Sequence, residues 1–191
     1  MRFALLFAVA VMSTGLHAEI PTAPRHSPEF VLNFTDGTQK LLSGYRGKVV
    51  ALEFLYTTCP HCQHAATVFT KLYQEYGDKG FQPLGVAFND NARMLIPDFM
   101  RNFRVGYPLA QGDRDTVLTY LGISNMERFN VPQIVWIDRK GTIRSQTLPV
   151  SSDEKMYKED YWREMIETLT KEPVVTTKKP AKATHQAAAR K

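Results

Sequence analysis

The chain has 191 residues, 43% of them hydrophobic and 23% charged, with a formal net charge of +5 and two cysteines. A chain of this length fits one domain with a sizeable core rather than two. Of the 24 Lys and Arg residues, five lie in 173–191 and one is Arg2, which leaves 18 against 19 acidic side chains. The body is therefore near neutral, and the basicity belongs to a tail rather than to a nucleic-acid-binding face.

The N-terminus opens with Arg2, runs apolar from Phe3 to Met12 and reaches a small residue at Ala18. That order of features predicts a secretory signal peptide over residues 1–18, cut near Ala18 or, because Leu16 is bulky for its place, after Gly15. The apolar stretch is much shorter than the roughly 20 residues of a spanning helix, so an uncleaved membrane anchor fits less well. No cysteine follows the stretch, which excludes a lipid-modified one. The expected location is extracytoplasmic, periplasmic or secreted, where a disulfide can persist.

The folded body is predicted over residues 19–172. Glu29 to Phe34 alternates in polarity, Asp36-Gly37 supplies a turn and Gln39 to Leu42 can pair back, which together make an N-terminal β-hairpin. Val49 to Tyr56 is apolar almost throughout, as a strand buried on both faces would be. From Cys62 to Tyr76 the period turns helical and stops at Gly77. Phe81 to Phe88 reads as a second buried strand and Arg93 to Phe103 as a helix. Residues 105–130 give no clear period, with Asp115 to Leu121 the best helical stretch. Gln133 to Asp138 and Thr142 to Thr147 form a hairpin across Arg139-Lys140-Gly141, and Asp153 to Thr170 is a closing helix. The alternation predicts an α/β layered domain with a mixed central sheet flanked by helices.

Residues 173–191 are rich in Lys, Ala, Thr and Pro with almost no bulky apolar side chain. They cannot bury enough surface to offset their ordering entropy and are predicted to be a disordered basic tail. Such a tail either stays solvated or is drawn weakly to an anionic envelope surface, lipid or cell-wall polymer.

Both cysteines sit in Cys59-Pro60-His61-Cys62, directly after the strand Val49 to Tyr56 and at the start of a helix. A C-x-x-C pair at such a junction can open and close as a disulfide, and its clients are protein thiols or disulfides. Cys59, at the helix N-terminus where unpaired N–H groups and the dipole favour an anion, is the expected nucleophile. Cys62, one turn on, is the expected resolving thiol. His61 can add charge or a hydrogen bond to the Cys59 thiolate, which stabilises the reduced form and makes the disulfide a stronger oxidant. A purely structural disulfide across two residues would constrain little of the unfolded chain. A zinc site lacks a second cysteine pair, and a c-type haem site would need His where Gln63 stands. The alternative from another class is a Cu(I) metallochaperone binding through Cys59, Cys62 and His64, since thiolate and imidazole suit that ion. On a helix, however, His64 points away from the edge that the two sulfurs share. No dissociable cofactor is required for the redox reading.

Strand, C-x-x-C, helix, strand, helix, then Val131-Pro132 ahead of a hairpin and a last helix resembles the thioredoxin fold. The run Leu42-Ser43-Gly44-Tyr45-Arg46-Gly47-Lys48-Val49-Val50 resembles the TlpA/ResA branch of exported thioredoxin-like proteins, and the likeness covers roughly residues 28–170. The dipeptide Pro60-His61 is similar to that of DsbA-type oxidases, and Thr58 stands where thioredoxins and most TlpA-like proteins carry Trp. The resemblance implies an extracytoplasmic thiol-disulfide oxidoreductase whose pair is reset by a partner such as a membrane redox protein. It leaves the direction, oxidant or reductant, open.

The resemblance also implies two further site residues. Glu53, six residues before Cys59, matches the buried acid that takes and returns the proton of the second cysteine. An isolated carboxylate in a buried strand is costly in itself, and burial would raise its pKa into the range of general acid-base work. The bland alternative is a strand-end carboxylate paired with Lys or Arg. Pro132, after Val131, matches the cis-proline that faces the disulfide and offers neighbouring backbone groups to a substrate strand. Asp90, within Asn89-Asp90-Asn91, is a weak candidate for an additional acid. A peroxiredoxin-type peroxidase shares this fold but needs a hydroxyl three residues before the reactive cysteine and a proline four residues earlier, where this chain has Tyr56 and Leu52.

Overall fold

The computed structural model describes residues 21–150 and 154–173. The predicted signal peptide, and the predicted tail beyond its first residue, lie outside the described residues. Among the described residues eight strands are formed: β1 (Arg25–His26), β2 (Val31–Phe34), β3 (Gln39–Leu41), β4 (Val49–Leu55), β5 (Phe81–Ala87), β6 (Leu109–Gln111), β7 (Gln133–Ile137) and β8 (Thr142–Gln146). They join in one mixed sheet in the order β1-β8-β7-β4-β5-β6-β2-β3. Four α-helices accompany it: α1 (Pro60–Tyr76), α2 (Ala92–Asn102), α3 (Arg114–Leu121) and α4 (Glu159–Lys171).

The central strand β4 pairs parallel with β5 and antiparallel with β7, and all seven of its residues are buried. Successive side chains point to opposite faces. Val49, Ala51 and Leu55 therefore enter one core with Phe69, Leu72, Ile96, Phe99, Trp162 and Ile166 from α1, α2 and α4. Val50, Leu52 and Phe54 enter a second core with Phe30, Leu32, Val117, Leu118 and Tyr120, contributed by the N-terminal hairpin and α3. By the same alternation Glu53 belongs to the α1, α2 and α4 face.

Helix α1 begins two residues earlier than its hydrophobic period indicated. Pro60 occupies the first helical position, where a missing N–H costs nothing because no intrahelical acceptor exists there. The helix ends at Gly77, and Gly80, at φ +94°, turns the chain into β5. Arg163 ties α4 to α1 by meeting Glu75 at 2.6 Å while also bonding Glu159 on its own helix.

Two expectations are corrected, and one strand is added. The closing helix is split: residues 154–157 form a 3-10 turn, Lys158 is extended, and α4 starts at Glu159. The break lets Trp162 Nε1 donate to the Met156 carbonyl at 2.8 Å and places Tyr157 against the core. The unclear stretch 105–130 holds strand β6 as well as α3, which starts at Arg114 behind an Asp113 cap that accepts from Thr116 N at 2.8 Å. A two-residue strand, β1, also closes the β8 edge.

Candidate active site

Cys59 caps α1 with extended backbone angles and is half-buried, while Cys62, one turn later, is 0% exposed. Both are free thiols. The Cys59 Sγ donates to the Val131 carbonyl at 3.7 Å, so the cysteine loop and the loop before β7 meet across 72 residues of sequence. The Val131-Pro132 bond is cis. Burial pushes the Cys62 thiol far above its ordinary range, and the Glu53 carboxylate and the neighbouring Cys59 push it further.

Glu53 is 1% exposed in the middle of β4. The expected alternative of a Lys or Arg partner is not what forms: Tyr107 Oη donates to Glu53 Oε2 at 2.9 Å, and Oε1 has no hydrogen-bond partner among the described residues. Desolvation raises the carboxyl to about 8, against which the Tyr107 hydrogen bond pulls it down. A neutral acid near pH 7 with its ionisation only about a unit away is suited to taking and returning a proton.

A groove of about 750 Å³ opens beside the pair, with His61, His64 and Ala65 on one wall, Phe129 to Pro132 on another, and Tyr157, Lys158 and Trp162 on the third. His61 and His64 are both exposed. The structure thus brings Cys59, Cys62, Pro60, His61, Val131 and Pro132 to one end of the sheet, with Glu53 near enough for its charge to act on the Cys62 thiol. It does not assemble a copper site: among the described residues no group of three or more His, Cys, Asp or Glu side chains could hold a metal ion.

The profile of the AhpC/TSA family matches residues 24–146. The chain belongs to the AhpC/TSA family. Within reach of this AhpC/TSA chain is the thiol-disulfide oxidoreductase ResA of Geobacillus thermodenitrificans, 28% identical over 118 residues, which cover 62% of this chain and 64% of that relative. The chain therefore spans just under two thirds of the relative's length. A thiol:disulfide interchange protein from Bacteroides sp. superposes with a TM-score of 0.64 at 19% identity, covering 86% of this chain and 95% of the other. A thioredoxin-family thiol:disulfide interchange protein from Chlorobium tepidum TLS gives 0.63 at 18%, covering 78% and 99%. The fold is thioredoxin-like.

Several residues of this AhpC/TSA site were not singled out from sequence. Asn89 Oδ1 accepts from Thr57 N at 2.9 Å and Thr57 Oγ1 at 3.3 Å, which braces the turn leading to Cys59, whereas the neighbouring candidate Asp90 is exposed. The Arg114 guanidinium lies 4.8 Å over the Phe129 ring and donates to Tyr56 Oη at 3.4 Å, three residues before Cys59. Tyr107, the partner of Glu53, lies in a stretch without periodicity. A polar residue directly after a buried strand was the one available signal for Asn89.

Proposed function

We propose that this AhpC/TSA chain is a thiol-disulfide oxidoreductase that cycles Cys59 and Cys62 between disulfide and dithiol by exchange with protein thiols. The asymmetry of the pair carries the reading: Cys59 is reachable at the helix start, whereas Cys62 is fully buried. An exchange protein needs one sulfur that a client can attack or be attacked by and a second that only the first can reach. In this reading Cys59 is the nucleophile, Cys62 the resolving thiol and Glu53 the acid-base group for Cys62. His61 supports the Cys59 thiolate, Pro60 starts the helix, and Val131 and Pro132 lend backbone groups to an extended client segment. The name of the ResA relative supports the same activity.

The signal-peptide pattern in residues 1–18 supports an extracytoplasmic location, with a folded domain over 19–172, a basic tail over 173–191 that contacts an anionic envelope surface, and a membrane redox partner that resets the pair. No described helix is long and apolar enough to cross a membrane. A peroxidase is disfavoured by Leu52, locked in the core where a proline is needed, and by the phenol Tyr56 in place of a small hydroxyl.

Cys62→Ser should accumulate a mixed disulfide at Cys59 when the client is supplied as its disulfide, the second client sulfur leaving as a thiol, and Cys59→Ser should abolish exchange. Activity that survives Cys59→Ser would sink the reading. Equilibration in glutathione buffers then assigns direction: about −120 mV means disulfides are introduced into clients, about −250 mV or below means they are removed.

A further inference from the structure

The Glu53 carboxyl is held from one side only. Tyr107 reaches Oε2 at 2.9 Å from 54 residues away in sequence, whereas the equally buried Oε1 accepts no hydrogen bond among the described residues. Room for that reach comes from the strand next door. Gly85 is the register partner of Glu53 on β5, and a Cβ there would stand 3.5 Å from Tyr107 Cε2 and 2.3 Å from Leu109 Cδ1. A side chain at position 85 would thus contest the space that the phenol and Leu109 occupy. On the other flank Glu53 pairs with Ile134 of β7, which offers no polar side chain.

We propose that Tyr107 is a positioning residue for the resolving step: its phenol ties down one oxygen of Glu53 and leaves the other to exchange a proton with the Cys62 thiol. The inference rests on the thiol-disulfide exchange proposed above. With a client joined to Cys59 as a mixed disulfide, Glu53 takes the Cys62 proton and the Cys62 thiolate attacks the Cys59 sulfur. The Cys59–Cys62 bond forms as the bond from Cys59 to the client breaks, and the electron pair leaves on the client sulfur, which is thereby reduced. In the opposite direction the client thiolate attacks Cys59, Cys62 departs, and Glu53 returns the proton to it.

Few groups can disturb this transfer. The titratable side chains that interact with Glu53 are Tyr107 from the segment before β6 and Cys62 from α1; Cys59 acts on Cys62 from beyond, and Cys62 in turn acts on Tyr157. Among the described residues no cation pairs with Glu53. Burial and the Glu53 charge hold the Tyr107 phenol well above its ordinary range, so it remains a donor throughout the working pH. A donor that is always present stabilises the carboxylate against the desolvation that opposes it. Removing it must raise the Glu53 pKa further.

Tyr107→Phe removes one oxygen from a ring whose place is otherwise kept. The carboxyl titration, followed by isotope-edited infrared or carbon NMR on the full chain, should shift upward by about one unit, and the resolving rate at pH 7 should fall about tenfold. The two rate profiles should converge above both pKa values, which loss of packing alone would not produce. Combined with Glu53→Gln, Tyr107→Phe should add no further pH-dependent loss. An unchanged carboxyl titration, or a rate loss equal at every pH, would overturn the assignment. If Tyr107→Phe does not fold, the wild-type carboxyl decides: an ordinary carboxylate pKa overturns it, and titration near 8 with a phenol-bonded carbonyl band upholds it. If the protein exchanges no thiols at all, the function proposed above has failed, and the carboxyl titration still reports on Tyr107 separately.

Discussion

Burial and one phenol pull the Glu53 carboxyl in opposite directions, and burial wins, leaving it at about 8. A carboxyl whose folded pKa lies above its unfolded value of 4.5 binds more protons in the native state between those two values. Its contribution to stability is therefore complete below about pH 4.5 and is lost as the pH rises through 8. Glu53→Gln removes that loss. The substituted protein should become progressively more stable than the wild type from pH 5 to pH 8, by on the order of a few kcal/mol at the top of the range, levelling off above it. Urea titrations at closely spaced pH values measure this, and a gap that does not grow with pH would mean that Glu53 is ionised in the native state throughout. The same residue shows what sequence can display at this scale. A lone carboxylate within Val49 to Leu55 violates the apolar pattern of a buried strand and so announces itself. Tyr107 violates nothing, because a tyrosine in an irregular stretch is compatible with any burial, and its partner lies on a different element.

The elements follow the periodicity where they are long and covered on both faces, and depart from it where distant contacts decide. β4, β5, α1 and the β7-β8 hairpin each show their own hydrophobic pattern. β6 has three residues, and its existence rests on pairing parallel with β5 and antiparallel with β2, a relation no local window contains. The early start predicted for α4 fails because Tyr157 and Tyr161, four residues apart, keep helical spacing across a break at Lys158. The turn into α1 depends on another non-local brace, Asn89, whose side-chain oxygen takes the Thr57 amide. Thr57 is buried, so losing its acceptor leaves an amide without compensation from water. Asn89→Ala should lower stability by about 1–3 kcal/mol in urea unfolding. Asn89→Asp keeps the accepting oxygen and should lose less; equal losses would show that packing, not the hydrogen bond, is what Asn89 supplies.

Across the whole molecule the sheet separates two cores; the cysteines and Glu53 belong to one of them, and the groove takes Trp162 and Tyr157 from that side and Phe129 from the other. Trp162 stacks on Phe69 at 4.4 Å in the core that also contains Cys62, and it lines the groove beside His61 and Pro132. Phe30 packs edge-on against Phe54 at 5.5 Å and Tyr120 at 5.4 Å, on the far face. Truncating either ring should destabilise the domain comparably, by about 3–5 kcal/mol. Their effects on the chemistry should differ. Desolvation is the main reason the Cys62 thiol resists ionisation, so opening its own core to water eases that resistance, and each pKa unit recovered multiplies the thiolate population about tenfold. In a Cys59→Ser background, alkylation of Cys62 by iodoacetamide under native conditions should therefore accelerate sharply in Trp162→Ala and only slightly in Phe30→Ala. Because the two variants lose similar stability, Phe30→Ala controls for labelling through global unfolding. Equal acceleration would mean that Cys62 reacts only from the unfolded chain, and that the sheet does not divide the molecule into a redox face and a supporting face.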